Sequence, residues 1–412
     1  MHAPSPAAAL DAADPLRGMR ERFVLPEGVI YLDGNSLGCL PKSVATRVAK
    51  AVSEEWGVGL IRSWNAAGWI DLPRVVGAKL ARLIGAPAGS VVAADSTSIN
   101  LFKVLSAALE LRPGRRGIVS ESGNFPTDLY VAEGVMRQLG EGHALRLAKA
   151  PEDLAGLLNA DTAVLMLTHV NFRDGRMHDM AAVTKAAQAA GALVIWDLAH
   201  SAGAMPLDLA GAGADFAIGC GYKFLNGGPG APAFVYVHPR WHGKARQPLT
   251  GWFSHKAPFN FDASYCPAGG IEQFLCGTPP VLNMVAFDEA LSLWDDVDMT
   301  ALRQKSQALC DLFIARIDAF AAEFGLTLIT PREGGLRGSQ VSYTCPHGYA
   351  VMQALIARGV IGDFRAPDII RFGFAPLYLS YAEAERAAAI LEEILRSRAW
   401  DDARFHARRA VT

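Results

Sequence analysis

A carboxylate and a lysine in this 412-residue chain stand where they could hold a cofactor between them. Asp197 ends one apolar run, and Lys223 follows a second apolar run over residues 215–220. His200 comes shortly after the aspartate, and Tyr222 directly precedes the lysine. Pyridoxal phosphate (PLP) needs an anion against its ring nitrogen and a lysine for Schiff-base formation. The pattern therefore predicts a PLP site in which Asp197 pairs with the ring nitrogen and Lys223 forms the Schiff base.

Each of these side chains also has an ordinary structural explanation. A lone lysine is most often a solvated surface charge, and a lone aspartate after a strand often caps a helix or forms a salt bridge. His200 could simply be a hydrogen-bonded residue of the core. The apolar neighbours of Lys223 favour a desolvated amine instead. The combination of residues is more specific than any single member.

The elements that position these residues are predicted from apolar periodicity. Between about residues 90 and 220, short apolar runs alternate with helical patterns. This alternation predicts right-handed βαβ crossovers and a largely parallel sheet. Ligands of such sheets bind outside the carboxyl ends of the strands. The candidates that fall at predicted strand ends are Thr97, Ser98, Phe125, Pro126, Thr127, Asp128, Thr168, Asp197, His200, Tyr222 and Lys223.

Two hydroxyl-bearing segments have competing interpretations. Thr97 and Ser98 stand at a strand-to-helix junction, where such residues cap helices and where free backbone N–H groups also hold phosphate. We favour the phosphate role because the other candidates converge on the same sheet edge. Asn35 and Ser36 lie in a turn-forming cluster, and either turn chemistry or a role at the mouth of the site explains them.

The length of the chain predicts more than one domain. We expect an N-terminal segment over 1–50 that contributes to the small domain, a large cofactor-binding domain over 51–285 and a small α+β domain over 286–412. Residues 248–280 form a predicted long loop whose aromatic content indicates function rather than disorder.

Composition narrows the partners and the compartment. The net charge of −2 comes without a basic stripe, which argues against nucleic acid and anionic membranes as partners. No apolar run approaches the ~18 residues of a membrane span, and the N-terminus lacks the pattern of a signal peptide. The six cysteines show no CxxC spacing, so we expect reduced thiols, no metal site and a soluble cytoplasmic protein.

Several motifs together carry a family resemblance. Asp197-x-x-His200, then Tyr222-Lys223 and the glycine-rich 226–230, resembles PLP-dependent enzymes of the aminotransferase class V group. The motifs at 32–38, 124–128, 251–255, 337–341 and 371–378 are similar to those of the kynureninase family. The similarity runs from about residue 30 to 395. It implies the aspartate aminotransferase-like fold of PLP-dependent transferases, with a large, mostly parallel-sheet domain and a smaller α+β C-terminal domain.

The resemblance also implies roles for individual residues. It makes Lys223, Tyr222 and Asp197 catalytic. The implied cofactor-binding residues are Thr97, Ser98, Phe125, Pro126, Thr127, Asp128, Thr168, Asp197, His200, Tyr222, Lys223, Trp252 and Thr278. The implied substrate-binding residues are Arg371, which would grip an α-carboxylate, and Asn35, Ser36, Trp64 and His255. Thr278 departs from the pattern of the family, whose members often carry Asn at this position.

The implied activity is the hydrolytic Cβ–Cγ cleavage of L-kynurenine, or of its 3-hydroxy derivative, to anthranilate or 3-hydroxyanthranilate and L-alanine. A homodimer with shared active sites is implied as well. The sequence does not distinguish the two substrates, which differ by one hydroxyl. The alternatives are a cysteine desulfurase or aminotransferase of the same fold, and a non-catalytic binding protein. Cys345 is the one late candidate for a desulfurase cysteine, and it follows a predicted strand.

Overall fold

A seven-stranded sheet forms the centre of the computed structural model, which describes residues 6–408. Residues 1–5 and 409–412, the ends of the predicted N-terminal segment and C-terminal domain, lie outside the described part. The strands in chain order are β1 (Ile30–Tyr31), β2 (Val91–Ala93), β3 (Gly117–Glu121), β4 (Ala144–Ala148), β5 (Thr162–Thr168), β6 (Leu193–Asp197), β7 (Phe216–Cys220), β8 (Ala233–Val237), β9 (Thr327–Leu328), β10 (Gln340–Thr344), β11 (Val360–Ile361), β12 (Asp363–Arg365) and β13 (Ile369–Gly373). The α-helices are α1 (Pro6–Ala13), α2 (Lys42–Lys50), α3 (Ser63–Ala66), α4 (Leu72–Leu83), α5 (Thr97–Glu110), α6 (Pro126–Leu139), α7 (Leu154–Leu157), α8 (Met180–Ala189), α9 (Val281–Leu291), α10 (Met299–Asp318), α11 (Gly348–Ala357) and α12 (Tyr381–Ser397).

The large sheet is mostly parallel, as the alternating pattern predicts. Its strand order is β2-β8-β7-β6-β5-β3-β4, and the five strands from β7 to β4 run parallel to their neighbours. β8 is antiparallel to both β7 and β2. The connection from β7 to β8, residues 221–232, contains no helix to carry the chain across the sheet, and β8 turns back antiparallel to β7.

The core lies on both faces of this sheet. In β5, Leu165 and Leu167 belong to one buried cluster, and Val164 and Met166 to the other. Successive side chains of a strand point to opposite faces, so both faces must be apolar. This burial explains why the central strands read as continuous apolar runs rather than as alternating ones.

Strand register brings the candidate residues to one edge. Thr168, the last residue of β5, pairs with Asp197, the last residue of β6. Asp197 in turn pairs with Ile218 of β7, and the chain then reaches Lys223. The carboxyl ends of three neighbouring strands therefore present a threonine, an aspartate and a lysine side by side.

The C-terminal part of the chain builds a second, smaller sheet. β12, β13, β10 and β9 form an antiparallel sheet in that order, next to the helices α10, α11 and α12. The short strand β1 pairs in parallel with β11, which attaches the N-terminal segment to this part of the chain. The large mostly parallel sheet and the smaller antiparallel one confirm the predicted fold class. The domain boundaries near residues 50 and 285 stay predictions.

Two irregular helices occur near the N-terminus. Arg17–Arg22 forms a 3-10 helix. After Pro41 the chain forms α2, which continues into a π-helix over Ala51–Gly59. Among residues 6–408, no helix is long and apolar enough to cross a membrane.

Candidate active site

A cavity of about 620 Å³ lies at the carboxyl ends of the parallel strands. Ten of the predicted site residues line it: Thr97, Ser98, Phe125, Thr127, Asp128, Thr168, Asp197, His200, Tyr222 and Lys223. These residues come from five separate segments of the chain. The sheet register and the helix starts that follow the strands bring them together.

Lys223 and His200 meet inside this cavity. The lysine Nζ lies 3.0 Å from Nε2 of the histidine. Burial, followed by the charge of Lys223, holds the pKa of His200 well below its usual range. A neutral imidazole can accept a hydrogen bond at Nε2, and this tautomer is assigned from the contact. His200 Nε2 therefore accepts a hydrogen bond from the lysine Nζ.

Two buried carboxyl groups share the cavity with this lysine. Asp197 exposes 5% of its surface and Asp128, in the first turn of α6, only 2%. Burial raises the pKa of Asp128 well above its usual range, and the charge of Asp197 adds to this effect. Burial also raises the pKa of Asp197, whereas Lys223 opposes that shift. Among residues 6–408, Lys223 is the single lysine or arginine that lines the cavity with these two carboxyl groups.

One carboxyl oxygen of this pair has no hydrogen-bond partner in the described part of the chain. Asp197 Oδ1 accepts a hydrogen bond of 2.8 Å from the N–H of Ala199, whereas Asp128 Oδ2 has no partner within residues 6–408. Buried polar atoms are normally satisfied, so an unpaired oxygen of a residue that lines the cavity favours a ligand that donates a hydrogen bond to this residue. A protonated ring nitrogen has the required charge and N–H.

The start of α5 forms the opposite end of the cavity. Ser96 caps the helix by accepting a hydrogen bond of 3.4 Å from the N–H of Ile99, and the hydroxyl-bearing Thr97 and Ser98 follow. Helix N-termini bind phosphate through free N–H groups and the helix dipole. The neighbouring Asp95 is paired with the buried Lys103, which neutralises a charge that would otherwise repel an anion.

An aromatic pair forms one wall of the cavity. Phe125 and Phe172 meet edge to face, with ring centroids 5.2 Å apart. Thr168 hydrogen-bonds to Asn124, which in turn donates to Ser120 Oγ at 3.1 Å. Phe172 and Ser120 were not among the predicted site residues, because an aromatic in a loop and a serine in a strand carry no distinctive spacing.

Arg371, Ser36 and Asn35 are brought together just behind Phe172. Arg371 Nη1 donates to the Phe172 carbonyl at 2.6 Å, and Nη2 donates to Ser36 Oγ at 3.0 Å. Asn35 Nδ2 donates to Gln340 Oε1 at 3.3 Å. This group therefore borders the wall of the cavity rather than lining it.

Several predicted residues lie elsewhere in the single chain. Pro126 begins α6 without lining the cavity, and Thr278 is exposed on a loop. Trp64 and Trp252 line a separate groove of about 520 Å³. His255 packs against Tyr265, with ring centroids 5.9 Å apart. Within residues 6–408 of one chain, none of these residues lines the cavity around Lys223.

His169, which directly follows Thr168, should make the free energy of unfolding decrease at acidic pH. Its ring packs edge to face on Trp196 at 5.9 Å, and burial lowers its pKa to about 3. The unfolded chain takes up this proton near pH 6.5, so stability is complete above that pH and falls as pH drops toward 3. We expect wild type to lose about 1.4 kcal/mol per pH unit more than His169→Gln between pH 6 and pH 4. Urea unfolding across that range measures the difference.

His406 supplies the control for this prediction. Its ring is exposed, so His406→Gln should keep the pH dependence of the wild type. Equal slopes for wild type and His169→Gln would show that the buried imidazole is not the source of the acid sensitivity.

The geometry supports a defined set of chemical tasks. The site holds an amine beside a neutral imidazole, buried carboxyl groups for a cationic nitrogen, and a helix start for an anion. Within the described part of the chain, no group of three or more His, Cys, Asp or Glu side chains could hold a metal ion.

Sequence comparisons show what the chain is similar to. A family model described as the kynureninase C-terminal domain matches residues 302–391. A kynureninase from Pseudomonas fluorescens is 55% identical over 408 residues, which cover 98% of each chain. A kynureninase from Burkholderia pseudomallei (strain 1106a) is 53% identical over 410 residues, covering 98% of this chain and 99% of the relative.

Solved structures show the same architecture at lower identity. A cysteine desulfurase from Thermococcus onnurineus NA1 superposes with a TM-score of 0.77 at 20% identity, covering 92% of this chain and 98% of its own. A cysteine desulfurase from Escherichia coli has a TM-score of 0.74 at 20% identity, with 93% and 98% covered. At this identity the likeness shows the fold alone.

Proposed function

The chain belongs to the kynureninase family, and on that premise we propose that it hydrolyses the Cβ–Cγ bond of L-kynurenine to anthranilate and L-alanine, with PLP as its cofactor. 3-Hydroxykynurenine is the second candidate substrate. The observation that carries the proposal is the contact of 3.0 Å between Lys223 Nζ and the neutral His200, in a cavity that also holds Asp197.

The residues of the cavity fit PLP at both of its ends. Thr97 and Ser98 at the start of α5 would hold the phosphate. Asp197 and Asp128 would hold the protonated ring nitrogen, with Asp197 as its main partner, because both carboxyl groups line the cavity. Phe125 would cover the ring. When bound through Lys223, the cofactor supplies an electron sink for the substrate's α-carbon.

Lys223 and His200 handle the first proton of the reaction. When it is not bound to the cofactor, Lys223 Nζ would take the proton from the substrate's α-carbon. The neutral His200 accepts a hydrogen bond from that Nζ, which orients the amine and holds it in the cavity. The base thus stays within reach of the reacting carbon rather than in solvent.

Tyr222 is our candidate donor at the γ-carbonyl. Burial raises the pKa of its phenol above the usual range, so the hydroxyl stays protonated throughout the neutral pH range. A protonated phenol can stabilise the oxygen on which charge develops when water adds to the carbonyl. Tyr222 precedes Lys223 directly and lines the same cavity.

Incubating the purified protein with L-kynurenine tests the proposal. Anthranilate and alanine should appear in equal amounts, and the reaction should depend on added PLP. Release of alanine and sulfide from cysteine, without anthranilate from kynurenine, would identify a desulfurase instead. Transfer of the amino group to a keto acid would identify an aminotransferase, and no turnover of any of these substrates would leave the binding-protein alternative.

The structure disfavours the desulfurase alternative in one respect. Cys345 exposes 1% of its surface, and burial raises the pKa of its thiol to about 12. A nucleophilic cysteine must instead be accessible and readily ionised. Cys345 follows β10 directly and is packed in the core.

We further propose that the chain acts as a homodimer. The groove that contains Trp64 and Trp252 is otherwise lined by Ile61, Ile70, Phe259, Phe261 and one polar residue, Asn65, and it is open to solvent. Ile61 exposes 78% of its surface and Phe261 77%. Contiguous exposed apolar surface of this kind marks protein–protein contacts. A second copy on this surface would also explain why residues expected at the active site lie in the groove of the single chain.

Mutation of the groove tests the dimer. Ile61→Asp combined with Phe261→Asp places two charges on the apolar surface, and we expect the dimer to dissociate with a loss of activity. Light scattering coupled to size-exclusion chromatography measures the mass. The matched control is Tyr130→Asp, because Tyr130 is 66% exposed on α6, away from the groove. A monomeric wild type, or a double variant that stays dimeric, contradicts the proposal.

The proposed setting is the breakdown of tryptophan in the cytoplasm. All six cysteines are free thiols in the structure. A protein with several unpaired thiols suits a reducing compartment. Fractionation of the native cells with an antibody against this chain tests the location.

A further inference from the structure

Arg371 has nearly all of its hydrogen-bonding capacity in use. A guanidinium carries five N–H groups. Nε donates to Asp363 Oδ1 at 2.7 Å, and Nη2 donates both to Asp363 Oδ2 and to Ser36 Oγ. Nη1 donates to the Phe172 carbonyl at 2.6 Å. Within residues 6–408, one N–H of Arg371 remains without an acceptor, which is too few for a bidentate grip on a substrate carboxylate.

Strand pairing sets the contact between Arg371 and Asp363. The two residues are direct partners in the antiparallel pair β12–β13, so their side chains leave the sheet on the same face. Both are almost fully buried, each with 2% of its surface exposed. A two-point contact with a neighbouring strand leaves the guanidinium little freedom to rotate.

The partners of Arg371 differ in how readily they can be replaced. Asp363 accepts two charged hydrogen bonds from the Nε/Nη2 edge of Arg371. The same carboxylate also contacts Arg365 Nη2 at 2.6 Å and accepts a hydrogen bond of 3.1 Å from the Ser36 hydroxyl. Ser36 Oγ and the Phe172 carbonyl are neutral single acceptors at the other end of the guanidinium. Charge-assisted bidentate contacts are the stronger ones, so the neutral acceptors yield first.

The neutral end of the guanidinium also faces the active site. Phe172 lines the cavity around Lys223, and its carbonyl is the acceptor for Nη1. Displacing this carbonyl would open a path from the cavity to the Nη1 end of Arg371. Displacing Asp363 from Arg371 would instead leave a buried carboxylate without its charged partner, which is costly.

We propose that Asp363 is a positioning residue, which holds one edge of Arg371 so that its Nη1/Nη2 end receives the substrate's α-carboxylate in place of the Phe172 carbonyl and Ser36. The inference rests on the proposed function, because it takes a substrate amino acid for granted. It assigns Asp363 a role in substrate affinity, beyond its part in the packing of the small sheet.

The test compares Asp363→Asn with wild type as PLP-loaded enzymes acting on L-kynurenine. Losing the charge and one acceptor lets the guanidinium shift, and displacements of about 1 Å cost about 10²-fold in kcat/KM. We expect most of this loss in KM, with kcat nearly unchanged. The cofactor's visible spectrum should stay as in wild type, since Asp363 lies outside the cavity around Lys223.

A second ligand separates positioning from a purely structural role. The amine that lacks the α-carboxylate of kynurenine should inhibit wild type and Asp363→Asn with the same inhibition constant. Weaker binding of both ligands, or a KM within twofold of wild type, would overturn the proposal. Asp363→Glu keeps the charge but moves it by one methylene, so it should show the same KM-specific loss if Asp363→Asn does not fold.

The matched control is Asp368→Asn. Asp368 is exposed in the turn that connects β12 and β13, so its substitution should leave KM unchanged. The two levels of proposal fail differently. Without anthranilate from the wild-type enzyme the proposed function fails, whereas normal turnover with an unchanged KM in Asp363→Asn removes only the role of Asp363.

Discussion

Lys223→Ala should abolish the release of anthranilate from kynurenine. The variant loses both the covalent attachment point of the cofactor and the base that moves the α-proton, and proton transfer alone is worth about 10²–10⁴-fold in rate. Borohydride reduction followed by peptide mapping should find the cofactor attached at residue 223 in wild type and nowhere in the variant. The fold should persist, because the side chain is only partly buried and its close polar contact in the described chain is His200.

Lys185→Ala is the control for this prediction. Lys185 is an exposed residue on α8, so its loss should change neither the attachment of the cofactor nor the rate. A Lys223→Ala protein that still carries reducible cofactor on a lysine would place the attachment at another residue.

Asp197→Asn should cause the second large loss, on the order of 10²–10³-fold in kcat, by analogy with other preorganised electrostatic groups. The amide has no charge to keep the ring nitrogen protonated, so the α-carbon loses its electron sink. Asp128 cannot replace it fully, because burial raises its pKa and favours its neutral form even when residue 197 is uncharged. Steady-state kinetics with saturating PLP measures the effect.

Asp197→Asn should leave the thermal stability of the cofactor-free protein unchanged or raise it, although it lowers activity. Burial raises the pKa of Asp197, so the folded state disfavours the ionised form. This penalty is complete above the folded pKa and is lost progressively as pH falls from there to the unfolded pKa of about 3.9. The cofactor-free Asp197→Asn protein should therefore unfold at the same temperature as wild type at pH 8, or higher. A variant that is inactive because it is unfolded would contradict this prediction.

Asp128→Asn is the matched comparison for Asp197→Asn. Asp128 lies in the first turn of α6 and lines the same cavity as Asp197, which ends β6. If Asp197 is the main partner of the ring nitrogen, Asp128→Asn should lose clearly less activity. The reverse order would exchange the roles of the two carboxyl groups.

Part of the site could be predicted because its signals are local. The apolar runs that end at Thr168, Asp197 and Cys220 predict buried strands, and parallel strands place their carboxyl ends on one edge. The family motifs then indicate which polar residues at that edge carry chemistry. For this reason ten of the predicted residues line a single cavity.

The contacts of Arg371 could not be predicted in the same way. Its partner Asp363 lies eight residues away on another strand, Ser36 comes from the N-terminal segment, and Phe172 comes from a loop of the large domain. Nothing in their spacing along the chain distinguishes them from other serines, aspartates and phenylalanines. The pairing depends on the register of β12 with β13 and on how the segments pack.

By itself, the sequence determined the fold class, the family and the lysine and aspartate at the centre of the site, since these follow from periodicity and from contiguous motifs. Tertiary structure alone decided which groups neutralise one another. It placed Asp128 beside Asp197, His200 against Lys223 and Asp363 on Arg371. Charges and hydrogen bonds act over a few ångströms in space, and distance along the chain does not determine them.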